Sequence, residues 1–167
     1  MAADAGHRRV VVMGIDDSEF SEYAFDFYLS NVCRKDDYII LVMVPEYGTV
    51  IASPGILTDP IVVTELIKEE EHKMQTLIKK YSSKMKEAHL GGKVKQMTGK
   101  VGESIVAAAK EEDAAMIVMG TRGMGKVRRT FIGSVSDYVI HHSHVPVLVC
   151  RHKDHHKHDH HDHHDHH

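Results

Sequence analysis

The chain has 167 residues and a formal charge of −3, which leaves room for one core of ordinary domain size and excludes the cationic excess of a general nucleic-acid binder or membrane-surface protein. No apolar run approaches the ~18 residues that a membrane span needs, and the start "MAADAGHRRVVV" lacks the apolar stretch and cleavage site of a secretory leader. The two cysteines, Cys33 and Cys150, lie in apolar surroundings without C-x-x-C spacing, so reduced thiols in a cytoplasmic protein are expected rather than a disulfide scaffold.

The first element is the strand-length run "RVVVMGI" (9–15). A helical segment follows, "SEFSEYAFDFYLSN" (18–31), with Phe20, Ala24, Phe27 and Tyr28 assigned to its inner face. The next apolar run is "YIILVMV" (38–44). Then "PEYGTVIASPGILTDPI" carries three prolines and two glycines and reads as a long loop, either a plain connection or a functional segment. A long amphipathic helix, "VTELIKEEEHKMQTLIKKYSSKM", sets Val62, Leu66, Met74, Leu77, Tyr81 and Met85 on one stripe with charges opposite. The lysine-bearing run "KVKQMT" (93–98) suits an edge strand. After a short helix "ESIVAAAKEE" come the strand "AAMIVMG" (114–120), a glycine-rich loop, the helix "GSVSDYVIHH" and a last strand "VPVLVC" (145–150). None of the strong runs alternates with period two. Continuous β-rich runs suit strands covered on both faces, and the strict strand–helix alternation implies an α/β fold with a doubly wound, five-stranded parallel sheet and helices on both faces.

The loop "GTRGMGKVRRTFIGSVSD" poses the chemical question. A P-loop is nearly present in Gly120, Gly125 and Lys126, but Val127 replaces the hydroxyl that would bind Mg²⁺. The dinucleotide pattern also fails, because Arg128 stands at its third glycine. A third spacing fits: Gly120, two residues, Gly123, nine residues, Gly133-Ser134. Gly120 is read as the glycine of a tight turn after a strand, and Gly123 as a point where backbone approaches a ligand closely. Gly133 and Ser134 open a helix whose first N–H groups form an anion site at the positive end of its dipole. Arg122, Lys126, Arg128 and Arg129 add positive potential. The alternative is a basic turn followed by a capping serine.

With these residues in view, the chain resembles the universal stress protein family. The G-2x-G-9x-G-[S/T] spacing matches that family's ATP-binding signature, "VVVMGIDDSEFSEYA" resembles its opening strand and first helix, and "HSHVPVLVC" its final strand. The resemblance covers residues 8 to 151. It implies sheet order 3-2-1-4-5, consistent with lysines on the third strand and Pro146 near the start of the fifth. It also implies a ligand crevice at the carboxyl ends of the strands. By resemblance, Gly14, Ile15, Asp16 and Val44 face adenine, Met119, Gly120 and Gly123 face ribose and phosphate, and Gly133, Ser134, Val135 and Ser136 receive phosphates. Asp16 has a plainer alternative as a cap of the first helix. The family's dimers imply a homodimer through residues 145–150.

The expected domains are therefore 1–151, nucleotide-binding, and 152–167, a disordered His/Asp-rich tail. His155, His156, His158, His160, His161, His163, His164, His166 and His167, interspersed with carboxylates, could hold Zn²⁺ or Ni²⁺ weakly. His141, His142 and His144 read as helix-end residues rather than ligands. No catalytic constellation is evident. The expected function is binding of ATP, ADP or AMP by a stress-response switch or adapter, with neither nucleic acid nor membrane as partner. The alternatives are a slow ATPase, with Mg²⁺ held by Asp16 and Ser134, and a dimeric adapter that presents the tail to metal.

Overall fold

The computed structural model describes residues 8–45, 59–121 and 133–152. Five parallel strands form one sheet: β1 (Val10–Gly14), β2 (Tyr38–Met43), β3 (Gly91–Gln96), β4 (Met116–Gly120) and β5 (Val147–Cys150), in the order β3-β2-β1-β4-β5. The helices are α1 (Glu19–Asn31), α2 (Pro60–Glu87), α3 (Val101–Glu111) and α4 (Ser134–His142). This is the doubly wound α/β architecture expected from the alternation of elements, in the strand order that the family resemblance implies.

The pleat explains why the strands are apolar throughout. Val11 and Met13 of β1, with Ile39 and Leu41 of β2, face a core completed by α1 and α2 through Ala24, Phe25, Tyr28, Met74, Leu77, Tyr81 and Met85. Val12, Ile40, Val42 and Ile117 face a second core closed by Ile105, Ala108 and Val139 of α3 and α4. Successive side chains point to opposite faces, so both parities must be apolar when both faces are covered.

Several boundaries and faces differ from expectation. On α1 the buried face is Ser21, Ala24, Phe25 and Tyr28, whereas Phe20 and Phe27 are only half-buried. Ser21, Ala24, Phe25 and Tyr28 are spaced i, i+3, i+4, i+7 and form one face, which Phe20 and Phe27 flank. Ser18 caps the helix, its hydroxyl accepting the Ser21 N–H (3.2 Å). α2 begins at Pro60, because Asp59 caps it by accepting the Ile61 N–H (3.0 Å). Its stripe is buried only from Met74 onward; Ile61 is 70% exposed and Val62 39%. β3 runs two residues earlier than read, through Gly91 and Gly92. A Cβ at Gly92 would sit 2.2 Å from the Ile39 carbonyl oxygen and 2.3 Å from the Met85 methyl, so the glycine allows close packing inside a strand rather than marking a turn. Lys93 and Lys95 pair with Glu112 and with Glu111 and Glu112, which holds this edge strand to the end of α3.

At the end of the sheet remote from the strands' carboxyl termini, Asp37 is 3% exposed. It accepts two bonds from the Arg9 guanidinium (2.7 and 2.6 Å), one from the Arg34 N–H (2.9 Å) and one from the Tyr28 hydroxyl. Burial alone would raise its pKa, but these donors outweigh burial and hold it below the usual carboxylate value. Cys33 and Cys150 are both free thiols, and burial raises both.

Candidate functional site

The strand order places the crevice. The chain leaves β1 toward β2 on one side, while β4 lies on the other, so the carboxyl ends of these neighbours open a cleft at the reversal point. The cleft has a volume of about 290 Å³. Gly14, Ile15 and Asp16 line it from the end of β1, and Val44 from just past β2. Met119 and Gly120 line it from the end of β4, and Gly133, Ser134, Val135 and Ser136 from the start of α4. Gly123, with Arg122, Lys126, Arg128 and Arg129, lies outside the described residues, as do the tail histidines from His155 to His167.

Local chemistry builds each wall. Ile15 N–H still donates to the Val42 carbonyl (2.9 Å), which is the last rung toward β2. The next amide, Asp16 N–H, turns away and donates to the Ser21 hydroxyl (3.1 Å). The Asp16 carboxylate accepts the Ser18 N–H (2.9 Å) and the Ser18 hydroxyl. Asp16 therefore does not cap α1 itself; it holds Ser18, which does. In another wall α4 starts after Gly133, an N-cap residue with no side chain to cap it. Its first backbone bond is Asp137 N–H to the Gly133 carbonyl (3.0 Å), so the N–H groups of Ser134, Val135 and Ser136 have no acceptor inside the helix. The buried Ser136 hydroxyl donates to the Gly120 carbonyl (3.3 Å) and ties α4 to the end of β4.

Gly120 is needed for a different reason from the one read off its position. Among the described residues only Gly99 is a glycine with positive φ. A Cβ on Gly120 would lie 2.3 Å from the Phe20 carbonyl oxygen, so its absence lets the end of β4 meet the first turn of α1. Gly133 likewise has an ordinary φ of −54°.

The structure adds residues that pattern reading did not single out. Phe20, Ser18 and Ser21 come from the α1 turn, Met43 from β2, Val101 and Ile105 from α3, and Thr121 follows β4. Most telling is the wall given by α2, where Glu70, Lys73, Met74 and Leu77 line the cleft. Met74 and Leu77 were legible as part of an apolar stripe, but nothing in the stripe shows that its middle overhangs the strand ends. His152 is another addition. Placed in the tail by composition, it is half-buried and sits edge-on to the rings of Phe20 (5.7 Å between centroids) and Tyr23 (5.0 Å).

Among the described residues no group of three or more His, Cys, Asp or Glu could hold a metal. His142 stacks on Tyr138 and His141 lies 3.4 Å from Asp137, one turn away. No helix among the described residues is long and apolar enough to cross a membrane.

Comparison with known proteins agrees with this geometry. Among curated relatives, universal stress protein Sll1388 of Synechocystis sp. is 36% identical over 93 residues, 53% of this chain and 60% of its own. PHOS34 of Arabidopsis thaliana is 25% identical over 167 residues, 90% of this chain and 64% of its own. The chain thus spans between half and two thirds of the length of these relatives. Among solved structures, MJ0577 of Methanocaldococcus jannaschii superposes with a TM-score of 0.65 at 25% identity, covering 88% of this chain and 98% of its own. A family protein from Arabidopsis thaliana, solved with AMP bound, gives 0.64 at 18% identity, covering 87% and 92%. One from Archaeoglobus fulgidus, in complex with dAMP, gives 0.59 at 19%, covering 84% and 96%. The sequence model of the universal stress protein family matches residues 7–151, which takes in every strand and helix among the described residues. With the family's sheet order and the family's sequence pattern both present, the chain belongs to the universal stress protein family.

Proposed function

We propose that the cleft binds an adenine nucleotide, ATP or its di- or monophosphate, and that the protein acts in the stress response as a nucleotide-dependent switch or adapter in the cytoplasm. The observation that carries this reading is the pairing of two unlike linings in one cleft. Asp16 and the apolar Ile15, Val44, Met74 and Leu77 line it together with the N-terminus of α4, whose N-cap is a glycine. A purine needs apolar faces with a polar edge contact, and a phosphate needs unpaired N–H groups at a positive helix end. In this reading Gly14, Ile15, Asp16 and Val44 meet the base. Met119, Gly120 and Gly123 meet the ribose and the first phosphate, and Gly133, Ser134, Val135 and Ser136 the remaining phosphates. Relatives solved with AMP and dAMP support the ligand class.

A slow ATPase is the second reading, favoured only by Asp16 and Ser134 lining the same cleft, where Mg²⁺ could bridge to phosphate. Against efficient hydrolysis, one Asp16 carboxylate oxygen is already engaged by the backbone and hydroxyl of Ser18. Two further parts of the proposal concern assembly. β5 is an edge strand with half-buried Val147, Leu148 and Val149, a composition suited to pairing with a second copy. The tail supplies imidazoles for weak Zn²⁺ or Ni²⁺ binding. Mass spectrometry of small molecules that co-purify with the protein, followed by calorimetric titration with ATP, ADP and AMP, tests the main reading. Absence of any adenine nucleotide and of any heat of binding refutes it. Single-turnover hydrolysis separates the binder from the slow enzyme.

A further inference from the structure

Asp16 is held by a closed circuit of short-range bonds. Its N–H donates to Ser21 Oγ (3.1 Å), the Ser21 N–H donates to Ser18 Oγ (3.2 Å), and Ser18 Oγ–H donates to Asp16 Oδ1. This circuit lies within six residues of chain. One of its atoms, Ser21 Oγ, also bonds the Tyr81 hydroxyl (2.9 Å) from α2. Ser21 is 5% exposed and Tyr81 0%. The Tyr81 ring is fixed edge-on to Phe25, with 5.1 Å between centroids. Tyr81 shares the inward stripe of α2 with Met74 and Leu77, which line the cleft one and two turns earlier.

We infer that Tyr81 is a positioning residue for the nucleotide: through Ser21 it fixes the backbone at Asp16 and sets the spacing between Asp16 and the α2 wall of the cleft. The inference rests on the reading of the cleft as an adenine-nucleotide site with Asp16 at the base. Three facts carry it. Asp16 N–H is the first amide past the β1 ladder, so Ser21 Oγ decides where the chain peels off the sheet. Ser21 Oγ cannot wander while it serves both Asp16 and a wholly buried phenol. Burial pushes the Tyr81 phenol up to about 12, against the opposing hydrogen bond with Ser21, so it keeps its proton across the working range. The α2 wall of the cleft and the Asp16 corner are thereby joined by a buried hydrogen bond, in addition to the Phe25–Tyr81 ring contact and the surface ion pairs between α1 and α2.

The test is a double-mutant cycle on the full chain, read by calorimetric titration with ATP. Tyr81→Phe keeps the ring contact with Phe25 and removes only the hydroxyl. It is expected to weaken ATP about three- to tenfold alone, the weight of one hydrogen bond. In the Asp16→Ala background it is expected to weaken ATP by less than about twofold, because groups that act through one another are not additive. Amide exchange at Asp16 should quicken in Tyr81→Phe and in Ser21→Ala without ligand present. Equal losses in both backgrounds would show that Tyr81 acts through general stability and overturn the inference. Wild-type ATP affinity with wild-type Asp16 exchange overturns it as well. Should Tyr81→Phe fail to fold, Ser21→Ala runs the same cycle with the same expected coupling. A wild-type chain that binds no adenine nucleotide brings down the nucleotide reading and this inference together. Wild-type binding without a Tyr81 effect brings down this inference alone.

Discussion

Asp37 shows how one buried charge is made tolerable. The carboxylate has almost no water, yet every donor around it is aimed: the Arg9 fork, the Arg34 amide and the Tyr28 hydroxyl. Its folded pKa is depressed below the unfolded one, so its contribution to stability is present above the ordinary carboxylate value and is lost as pH falls through the folded value. Asp37→Asn is expected to cost about 2–4 kcal/mol at neutral pH, toward the low side for a broken buried pair because Arg9 keeps some water. The gap between wild type and variant should narrow below about pH 4. Urea denaturation across pH 3 to 8 (a range chosen to bracket about one carboxylate titration) reads both; a gap that stays constant with pH contradicts the ion-pair account. Gly120 makes a second prediction at this scale. Gly120→Ala would press a methyl to 2.3 Å from the Phe20 carbonyl oxygen, a backbone atom that cannot swing aside. A loss of about 1–3 kcal/mol follows from overpacking, together with weaker ATP binding because Phe20 lines the cleft. Thermal melting and titration of the same sample check the two effects together.

At the scale of elements, the start of α4 decides what kind of phosphate site the proposed function requires. Glycine at the N-cap brings no side chain of its own to compete for the helix's first N–H groups. Gly133→Val is expected to weaken ATP strongly, through volume placed in the cleft rather than through backbone strain, since φ at Gly133 is ordinary. Gly123→Val should act in the same direction on the expectation from spacing. Ser134→Ala should cost on the order of 1.5–3 kcal/mol of ATP binding, one hydrogen bond to a charged group. Lys126→Ala should matter least on the same expectation, in which a loop cation adds only screened attraction. A Walker-type site reverses that order and makes Lys126 dominant, so titration of the four variants discriminates. α2 behaves differently along its length: its second half is clamped to α1 by Glu22 and Asp26 against Lys80 and Lys84, while its first turn leaves Ile61 exposed.

For the molecule as a whole, the two sheet edges are unlike. β3 carries paired lysines, and a charged edge discourages strand addition. β5 carries Val147, Leu148 and Val149, only half-buried in one copy. A symmetric homodimer through β5 is therefore expected, and Val147→Lys or Leu148→Asp should shift the mass in light scattering to that of a monomer. A wild-type monomer at micromolar concentration would count against it. The tail gives the last prediction. His152 rests on Phe20 and Tyr23, so removal of residues 153–167 should spare stability and nucleotide affinity, while removal that includes His152 should lower the melting temperature. Loss of the tail should also remove most Zn²⁺ or Ni²⁺ binding, which fades toward pH 5.5 as imidazoles near a pKa of about 6.5 take up protons. A truncated chain that titrates as much Zn²⁺ as the full one places the metal elsewhere.

Much of this was determined by the sequence alone. Uninterrupted apolar runs alternating with amphipathic ones are enough for a parallel sheet covered on both faces, because burial on both faces and the 3.6-residue period leave separate marks in composition. The glycine spacing gave Gly120, Gly133 and Ser134, which sit at a strand or helix end that local pattern can locate, and the family resemblance added Gly14, Ile15, Asp16, Val44, Met119, Val135 and Ser136 to the cleft lining. Only the tertiary structure decided the rest. Which face of α1 is buried depends on what packs against it: Ala24, Phe25 and Tyr28 meet the sheet and α2, while Phe20 and Phe27 flank that face. That Gly92 and Gly120 are glycines because backbone or side chains from distant elements approach them is invisible to spacing. The α2 wall and the Tyr81–Ser21–Asp16 link join residues sixty positions apart, and periodicity reports that a residue points inward but not what it meets there.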